Sequence, residues 1–408
     1  MTRVNAEILK QDSITRFYRE TFMVQIDFFD KDIVSTLLPV TTMEPDKVCF
    51  LIDKRIASGK DSKNLELAIN KRLPGTVVEF YPVEIDSISD INANIEKIVS
   101  ENQDDVKYID LTGGSELMSA CGYRAAKEHG ITAIYIDVRR ENVLNIDTAE
   151  IIKEVNHLTL EDWLNAVGAK RLGDSRDLPP EEEFDDIIAV SEVLFDHIPD
   201  WQSLCQHIAN RIAQTNGMEI EIPVNICKSR KGLTAIENAF EDYGLWTRVD
   251  KDDSDSRRVY RFTDKRRRGY ITTFGVWLEF YIYIQALRVY DEAAVGVVID
   301  WYEGDNIDTE DNEIDVMVMR RSVPIFISCK MRKPVSGDLY EVGFMASKLS
   351  GARAKGIVAT TYPVKEYGTS PKRMYQRMKK LKIGLIEAES FRNNKPADVF
   401  NSAVQMTE

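Results

Sequence analysis

Two short motifs in the C-terminal third of the 408-residue chain carry the residue types best suited to chemistry. The first is Asn312–Val316, with the sequence Asn-Glu-Ile-Asp-Val, and the second is Ile327–Lys330, with the sequence Ile-Ser-Cys-Lys. Both lie in apolar, β-type runs, so a hairpin would bring Asp315 and Lys330 side by side at the edge of a buried sheet. A carboxylate there can hold a divalent metal ion, and an ammonium beside it can orient water or neutralise developing phosphate charge. The spacing therefore predicts the core of a metal-dependent phosphodiesterase.

The composition is typical of a soluble globular protein, with 43% apolar and 29% charged residues. No run of about eighteen uncharged apolar residues is present, which argues against a transmembrane helix. The first residues lack the apolar core of a signal peptide. The five cysteines are scattered, odd in number and never in CxxC spacing, which favours a reducing compartment and argues against a structural zinc site. We therefore expect a cytoplasmic protein.

The charge is unevenly distributed along the chain, whose net charge is −14. Residues 265–408 carry 22 basic and 18 acidic side chains, whereas the remaining residues carry 31 and 49. Two basic clusters, Lys265–Arg268 and Lys379–Lys382, lie in the C-terminal part. This asymmetry is compatible with an anionic polymer as the partner of the C-terminal part, although chance composition explains so small a surplus almost as well. Each basic cluster is either a phosphate-contacting patch or an ordinary solvated charge run.

The first 168 residues have the pattern of a Rossmann-like α/β domain. Short apolar strands alternate with helix-period segments, as expected when helices cover both faces of a parallel sheet. The predicted strands are Phe22–Phe29, Lys47–Asp53, Thr76–Val83, Val106–Leu111 and Thr132–Val138. The predicted helices are Asp32–Met43, Ser62–Arg72, Ile88–Glu101 and Ser115–His129.

Two further regions follow, which we place at residues 169–268 and 269–408. A connecting helix over Leu160–Gly168 leads into a polar linker, Gly173–Pro180. The middle region has helices, then a hairpin of Leu245–Lys251 and Arg257–Thr263, and is similar to a small winged helix. The last region combines a long apolar helix, three strands, the helix Gly337–Leu349 and the strand Ala354–Thr360. This αβββαβ order is that of a restriction-endonuclease-like α/β domain.

The segment Tyr108–Met118 passes from the fourth strand into a helix through the turn Thr112–Ser115. Two glycines in the turn let backbone N–H groups approach a ligand closely, and the new helix presents its positive N-terminal end. Such a turn suits phosphate, although glycine is also common there for steric reasons alone. The motif is not GxGxxG and does not follow the first strand, so a dinucleotide cofactor is disfavoured.

Together, the order of elements, this Asp-x-Thr-Gly-Gly-x-x-x-Met turn and the C-terminal Asp and Lys resemble one family over nearly the whole chain. It is the CRISPR ancillary nucleases that join a CARF sensor domain to a PD-(D/E)xK nuclease domain. The resemblance implies a homodimer whose paired sensor domains bind a cyclic oligoadenylate, expected to be the tetramer, across their two-fold axis.

Carried over residue by residue, the resemblance implies that the Thr-Gly-Gly-Ser turn wraps the ligand and that other residues complete the pocket. These ligand-binding candidates are Phe28, Lys31, Lys54, Thr112, Gly113, Gly114, Ser115, Glu116 and Met118. Met118 would lie behind the turn, and Phe28, Lys31 and Lys54 are placed by topology alone. Many family members have lysine where this chain has Glu116. That carboxylate would either accept hydrogen bonds from ribose or adenine groups or point away.

The resemblance also implies a catalytic set of Glu279, Asp315 and Lys330, with Mn²⁺ or Mg²⁺ as the cofactor. Glu279 stands alone on an apolar helix, where metal ligation would offset the cost of burying its charge. The usual (D/E)xK acid is replaced by Ser328, which is a weaker metal ligand than a carboxylate. The expected metal ligands are therefore Glu279, Asp315 and the backbone carbonyl of Cys329. This departure puts tight binding of two metal ions in doubt.

The preferred interpretation is an allosteric endonuclease that cleaves single-stranded DNA or RNA and nicks duplex DNA. One alternative is a CARF-controlled transcription regulator with a winged helix, and another is a ring nuclease that degrades the cyclic ligand. A nicotinamide oxidoreductase is disfavoured because the first βα turn, Phe29–Asp32, has no glycine.

Overall fold

A computed structural model of the protein describes residues 22–174, 177–249, 256–301, 312–350, 353–364 and 369–408. The chain divides into two compact units, of which the first ends at Ala169 and the second begins at Lys170. Within the described ranges, no helix is long and apolar enough to span a bilayer. The extreme N-terminus, on which the signal-peptide expectation rests, lies outside the described residues.

The first unit contains one mixed sheet with the strand order β3-β2-β1-β4-β5-β6-β7. Pairing is parallel from β3 to β5 and antiparallel for β6 and β7. The strands are β1 (Val24–Phe28), β2 (Lys47–Asp53), β3 (Val77–Val83), β4 (Val106–Asp110), β5 (Thr132–Asp137), β6 (Asn142–Asn145) and β7 (Ile151–Glu154). The helices are α1 (Ile33–Met43), α2 (Lys60–Arg72), α3 (Ile88–Asn102), α4 (Glu116–His129) and α5 (Leu160–Val167).

The predicted strands and helices of the first unit are confirmed, with ends that differ by a few residues. The central strands β1 and β2 are almost wholly buried, as expected for a sheet covered on both faces, although β1 contains the polar residues Gln25 and Asp27. The predicted connecting helix is α5, which a Thr159–Asp162 capping box begins and Gly168 ends at φ +75°. The β6–β7 hairpin was not predicted, because its strands are only four residues long and β7 is exposed.

The second unit contains two sheets, with the orders β10-β11-β9 and β16-β15-β14-β13-β12-β8. The strands are β8 (Ala169–Asp174), β9 (Glu219–Pro223), β10 (Trp246–Arg248), β11 (Arg257–Phe262), β12 (Glu292–Trp301), β13 (Asn312–Arg320), β14 (Val323–Lys330), β15 (Lys355–Thr360) and β16 (Gly384–Glu387). The helices are α6 (Phe184–Asp196), α7 (Ile198–Thr215), α8 (Arg230–Asp242), α9 (Lys265–Thr272), α10 (Val276–Leu287), α11 (Ser336–Ser350), α12 (Thr369–Lys380) and α13 (Pro396–Gln405).

In the middle region, the predicted hairpin is present as the antiparallel pair β10 and β11. Residues 250 and 251 of the predicted first strand lie outside the described part of the chain. A third strand, β9, pairs antiparallel with β11 and was not predicted. The predicted linker Gly173–Pro180 is partly wrong, because its first two residues complete β8, the last strand of the larger sheet.

The middle and last regions share one hydrophobic core. Phe240 of α8 stacks on Trp277 of α10 with ring centroids 5.9 Å apart. Its ring also meets Trp201 and Trp246 edge-on at 5.8 Å and 5.0 Å. These large buried rings supply much of the apolar area that holds the unit together. They hold α10, which carries Glu279, against the helices of the middle region.

Candidate functional site

The larger sheet forks at Asp315. The antiparallel ladder between β13 and β14 ends at the pair Val316–Ile327. Both strands nevertheless continue, β13 paired with β12 as far as Asn312 and β14 paired with β15 as far as Lys330. Asp315 is the first residue of β13 beyond the fork. Strand divergence thus opens a gap in the middle of a buried sheet, where a polar side chain can reach solvent.

The Asp315 carboxylate fills the gap between the two strands. Its Oδ2 accepts a hydrogen bond of 2.7 Å from the backbone N–H of Cys329 and one of 3.3 Å from the Ser328 hydroxyl. The Lys330 Nζ lies 3.5 Å from the same oxygen, and both charged side chains are 20% exposed. The carboxylate therefore replaces the missing ladder partner of a backbone amide, which fixes its orientation. The structure brings Asp315 and Lys330 together at a solvent-accessible position.

The neighbouring strand β12 is also irregular beside Asp315. Its ladder with β13 pairs Val295 with Val316 and Val297 with Ile314, but it skips Gly296, which lies opposite Asp315. Gly296 has φ +61°, a left-handed conformation that favours glycine. Asp315 is thereby released from its ladder on both sides. Gly296 was not predicted as a site residue, although an isolated glycine inside a strand pattern is a known signal of an irregularity or a close approach.

Glu279 is buried in the first turns of α10, with 6% of its surface exposed. Burial raises the pKa of the Cys329 thiol well above its usual value, and the nearby Asp315 and Glu279 carboxylates raise it further. Lys330 opposes this shift. Both carboxylates therefore act on Cys329, and the thiol stays protonated at neutral pH. The Cys329 side chain is a small core group and not a thiolate nucleophile or ligand.

The oxygen groups at the fork suit a hard divalent ion in their chemistry. Within the part of the chain that is described, however, no three His, Cys, Asp or Glu side chains lie close enough together to hold a metal ion. So small a donor set would suit only an ion of the Mg²⁺ type, which is commonly held by one or two carboxylates with water and substrate phosphate oxygens completing its shell. It does not resemble a closed cage of protein ligands.

A cleft opens from Asp315 towards α11. Its walls include Glu313, Asp315 and Ser328 from the strands and Glu341, Val342 and Met345 from the helix. Val342 and Met345 are buried, whereas Glu313 and Glu341 are exposed. The cleft thus has an apolar floor and an acidic rim beside the candidate catalytic pair, and its helix wall is the helix predicted over Gly337–Leu349.

The two basic clusters have different environments. In the first, Arg266 and Arg267 donate hydrogen bonds to the Glu183 carboxylate, and Arg268 donates to the backbone carbonyls of Asn216 and Gly217. The hydrogen bonds of this cluster therefore hold α9 against other segments of the second unit. In the second cluster, Lys379 and Lys380 are exposed at the end of α12.

In the first unit, the candidate ligand turn lies at the topological switch point of the sheet. Strand β1 has β2 on one side and β4 on the other, and all three are parallel. Chain connections leave β1 and β4 in different directions, which creates a crevice at their carboxyl ends. The turns that follow Phe28 and Asp110 border this crevice. It is the position where doubly wound sheets usually bind ligands.

The two glycines of the turn are required by close packing. A Cβ atom on Gly113 would lie 2.6 Å from the Phe28 carbonyl oxygen, and one on Gly114 would lie 2.5 Å from the Phe28 Cβ. Gly114 also has φ +77°. Ser115 caps α4, because its hydroxyl accepts a hydrogen bond of 3.3 Å from the Met118 N–H. The turn therefore presents backbone and a helix N-terminus at the crevice.

The other ligand candidates divide into buried and exposed groups. Phe28 and Met118 are 1% and 2% exposed, and both pack in the core beneath the turn. Lys31 and Glu116 are exposed, and Lys54 forms an ion pair with Glu84. Phe28 and Met118 thus support the turn from below, whereas Lys31 is a cation that faces solvent beside it.

A buried carboxyl pair under the turn was not predicted. Asp27 of β1 and Asp110 of β4 are each 1% exposed and share a hydrogen bond. Burial raises the pKa of both groups, for Asp110 to about 7, and the Asp110 charge raises that of Asp27 further. Thr112 donates a 2.6 Å hydrogen bond to Asp110. The pair holds the turn through this contact, and the signal in the sequence was an acidic residue inside each of two apolar strands.

The sequence matches no known protein-family profile and no curated protein. Solved structures nevertheless share the fold. A Vibrio cholerae protein, VC1899, has a TM-score of 0.74 at 14% identity, with 94% of this chain and 97% of that chain covered. Can2 from Sulfobacillus thermosulfidooxidans, solved in complex with cyclic tetra-adenylate, has a TM-score of 0.63 at 16% identity, covering 94% and 99%.

A third solved structure is a type III CRISPR defence DNA nuclease activated by cyclic oligoadenylate. It has a TM-score of 0.52 at 15% identity, and the match covers 84% of this chain but 46% of that one. All three identities are too low for the likeness to show more than a common fold. The protein therefore has, over nearly its whole length, the mixed α/β fold shared by VC1899 and Can2.

Proposed function

We propose that the protein is a metal-dependent endonuclease that a cyclic oligoadenylate, expected to be the tetra-adenylate, activates. The observation that carries the proposal is the fork in the sheet, where Asp315 and Lys330 lie 3.5 Å apart at an accessible position. The activating ligand is supported by the glycine turn at the switch point and by the fold shared with Can2, which was solved with cyclic tetra-adenylate. The proposed substrates are single-stranded DNA or RNA, and duplex DNA, which the enzyme would nick.

In this mechanism, the protein's own groups orient the reacting phosphate and offset its charge. Asp315, held by the Cys329 amide, and Glu279 would be the carboxylate ligands of Mn²⁺ or Mg²⁺, with the Cys329 carbonyl as a further oxygen. When bound, such an ion lowers the pKa of a water molecule and offsets charge on the scissile phosphate. Lys330 would place its ammonium against the negative charge that develops in the transition state. The Ser328 hydroxyl hydrogen-bonds to Asp315 and so maintains the position of that carboxylate.

In the sensor half, the Thr112–Ser115 turn would hold the ligand backbone through its N–H groups and the N-terminus of α4. A homodimer would present two such turns to a ligand with internal two-fold symmetry. Binding can activate the nuclease only if the ring binds the active arrangement more tightly than the idle one.

The proposal is tested by incubating fluorescent single-stranded DNA and RNA with the full chain and Mn²⁺, with and without cyclic tetra-adenylate. We expect cleavage only with the ring, and its loss in Asp315→Asn and in Lys330→Met. Matched controls in the same unit are Asp398→Asn and Lys395→Met, which lie far along the chain from the fork and should cleave normally. Equal cleavage without the ring would contradict activation, and normal cleavage by Asp315→Asn would contradict the site.

The same experiment separates the alternatives. A ring nuclease would consume the cyclic ligand even in Asp315→Asn, which chromatography of the nucleotide after incubation would reveal. A transcription regulator would bind duplex DNA without metal and would be unaffected by Lys330→Met.

A further inference from the structure

The outer face of α11 carries two large aromatic side chains beside the Asp315 cleft. Tyr340 is 54% exposed and Phe344 is 62% exposed, which is unusual for rings of this size. They are four residues apart, so they are neighbours on the helix surface. The next residue after each, Glu341 and Met345, lines the cleft. The aromatic pair therefore borders the entrance to the candidate catalytic groups.

A cation from the adjacent helix is fixed against Tyr340. Arg377 of α12 donates a 2.6 Å hydrogen bond to the Tyr340 hydroxyl and another of 2.6 Å to the Ser336 hydroxyl. Its guanidinium lies 5.4 Å from the centre of the Tyr340 ring. The guanidinium thus stays at the surface beside Tyr340, and the partners that it has among the described residues are neutral hydroxyl groups.

The helix that carries Arg377 is itself rich in positive charge. The sequence of α12 contains five lysine or arginine residues and no acidic residue. Lys379 lies 5.0 Å from the Tyr375 ring of the same helix, and Lys333 lies 5.9 Å from the Tyr362 ring. Tyr340 therefore lies against a cation of a basic helix, and Glu313 and Glu341 are the acidic residues of the cleft rim.

The combination of exposed aromatic rings and cations favours one class of ligand for this surface over others. A purely apolar face would suit another protein, whereas a purely basic one would suit phosphates in any geometry. Exposed aromatic rings among cations match a single strand, because its unstacked bases lie on the rings while its phosphates meet the positive charge. A duplex keeps its bases stacked inside and can use only the charges.

We propose that Tyr340 and Phe344, together with Arg377, form a stacking platform for the single-stranded nucleic acid whose phosphodiester enters the Asp315 cleft. The inference rests on the proposed nuclease function and adds how the substrate is held. The platform makes single strands the preferred substrate, and it acts on binding and not on the chemical step.

The test measures binding of labelled single-stranded and blunt duplex DNA by fluorescence anisotropy, using full-length Asp315→Asn protein with Mn²⁺ and cyclic tetra-adenylate to prevent cleavage. Tyr340→Leu and Phe344→Leu, each made in that background, should weaken single-strand binding by about 5- to 150-fold, the range for loss of one base–aromatic stack. Both should leave duplex binding unchanged. The matched variants Tyr340→Phe and Phe344→Tyr keep a ring and should bind single strands nearly as well as the parent.

Cleavage kinetics provide the second measurement. In otherwise wild-type protein, the leucine variants should raise KM for single strands and leave kcat unchanged, whereas Arg377→Gln should weaken single-strand and duplex binding together. Leucine variants that bind and cleave like the parent would overturn the platform but leave the nuclease intact. Leucine variants that lose self-association by light scattering would instead identify the surface as an interface between copies. Failure of the wild type to bind or cut single strands would remove the nuclease proposal itself.

Discussion

At the residue scale, the candidate catalytic centre depends on one carboxylate that accepts the hydrogen bond of a strand amide in place of a neighbouring strand. The Asp315 carboxylate accepts a hydrogen bond from the Cys329 backbone N–H, which lies beyond the end of the β13–β14 ladder. A buried amide without a partner would cost free energy, so this hydrogen bond holds both the fork and the carboxylate in place. The Ser328 hydroxyl donates to the same oxygen, which gives a structural role to the residue that stands where the (D/E)xK pattern would have an acid.

Gly296 of β12 lies opposite Asp315 and interrupts the β12–β13 ladder there. We predict that Gly296→Ala disturbs the position of the Asp315 carboxylate. An alanine at φ +61° is strained, by about 1–2 kcal/mol for a left-handed residue. We expect a lower melting temperature and a lower kcat for cleavage, because Asp315 would be displaced. Gly337→Ala is the matched control, since its Cβ would meet no atom within 4 Å. Unchanged kcat in Gly296→Ala would show that the irregularity in β12 does not position Asp315.

The buried Asp27–Asp110 pair predicts a pH dependence of stability. Both carboxyl groups have raised pKa values in the fold, Asp110 at about 7, whereas the unfolded chain has ordinary values near 4. The folded protein therefore holds more protons than the unfolded chain between about pH 4 and 7. The contribution of the pair to stability falls as pH rises through this window, and the loss persists above it.

Asp27→Asn tests this dependence because asparagine stays neutral at every pH. The melting temperature of the variant relative to wild type should rise between pH 5 and pH 8. Thermal unfolding followed by circular dichroism at both pH values measures this change. The exposed Asp104→Asn is the control and should show no such trend. A constant difference between Asp27→Asn and wild type across this range would mean that the pair is ionised in the fold throughout.

At the element scale, the residue between β4 and α4 that caps the helix, Ser115, also belongs to the proposed ligand-binding turn. Ser115 caps α4 through the Met118 N–H, and Ser87 caps α3 through the Asp90 N–H in the same way. Only the first cap lies at the switch point of the sheet. Substituting each capping serine therefore separates an effect on helix stability, which both caps share, from an effect on ligand binding, which is expected of the first cap alone.

We predict that Ser115→Ala and Ser87→Ala each lower the free energy of unfolding by about 1 kcal/mol, the usual cost of losing an N-cap. Only Ser115→Ala should also weaken binding of cyclic tetra-adenylate, because the cap shapes the proposed ligand turn. Denaturant unfolding and isothermal titration calorimetry measure the two effects. Equal ring affinity in both variants would place the ligand elsewhere.

At the scale of the whole molecule, the two units are proposed to carry separate tasks. The glycine turn and the carboxyl pair belong to the first unit, and the fork, the cleft and the aromatic face belong to the second. Communication between them would require a ring-dependent change in arrangement. Binding and cleavage should therefore be separable by substitution.

We predict that cyclic tetra-adenylate at 100 times its Kd stabilises the protein by about 2.7 kcal/mol, as mass action requires for a ligand of the folded state alone. Asp315→Asn should retain this stabilisation in full while losing cleavage. Differential scanning fluorimetry with and without the ring measures the shift in melting temperature. Loss of the shift in Asp315→Asn would indicate that the ring binds at the fork and not in the first unit.

The sequence by itself determined the α/β elements and the two chemical motifs. Apolar runs and helical periods depend on local pattern, so the strands up to Thr132–Asp137 and the helix Val276–Leu287 were predictable. The spacing of Asp315 and Lys330 on two adjacent strands was predictable for the same reason. The glycine turn followed from its position between a strand and a helix.

Only the tertiary structure decided how these pieces meet. The strand order placed β1 beside β4, and so brought Asp27 and Asp110, 83 positions apart in sequence, into one buried pair. The fork at Asp315 and the exposed rings of Tyr340 and Phe344 depend on which ladders end and which faces are covered. These features arise from contacts between distant segments, and local sequence patterns do not specify which segments meet.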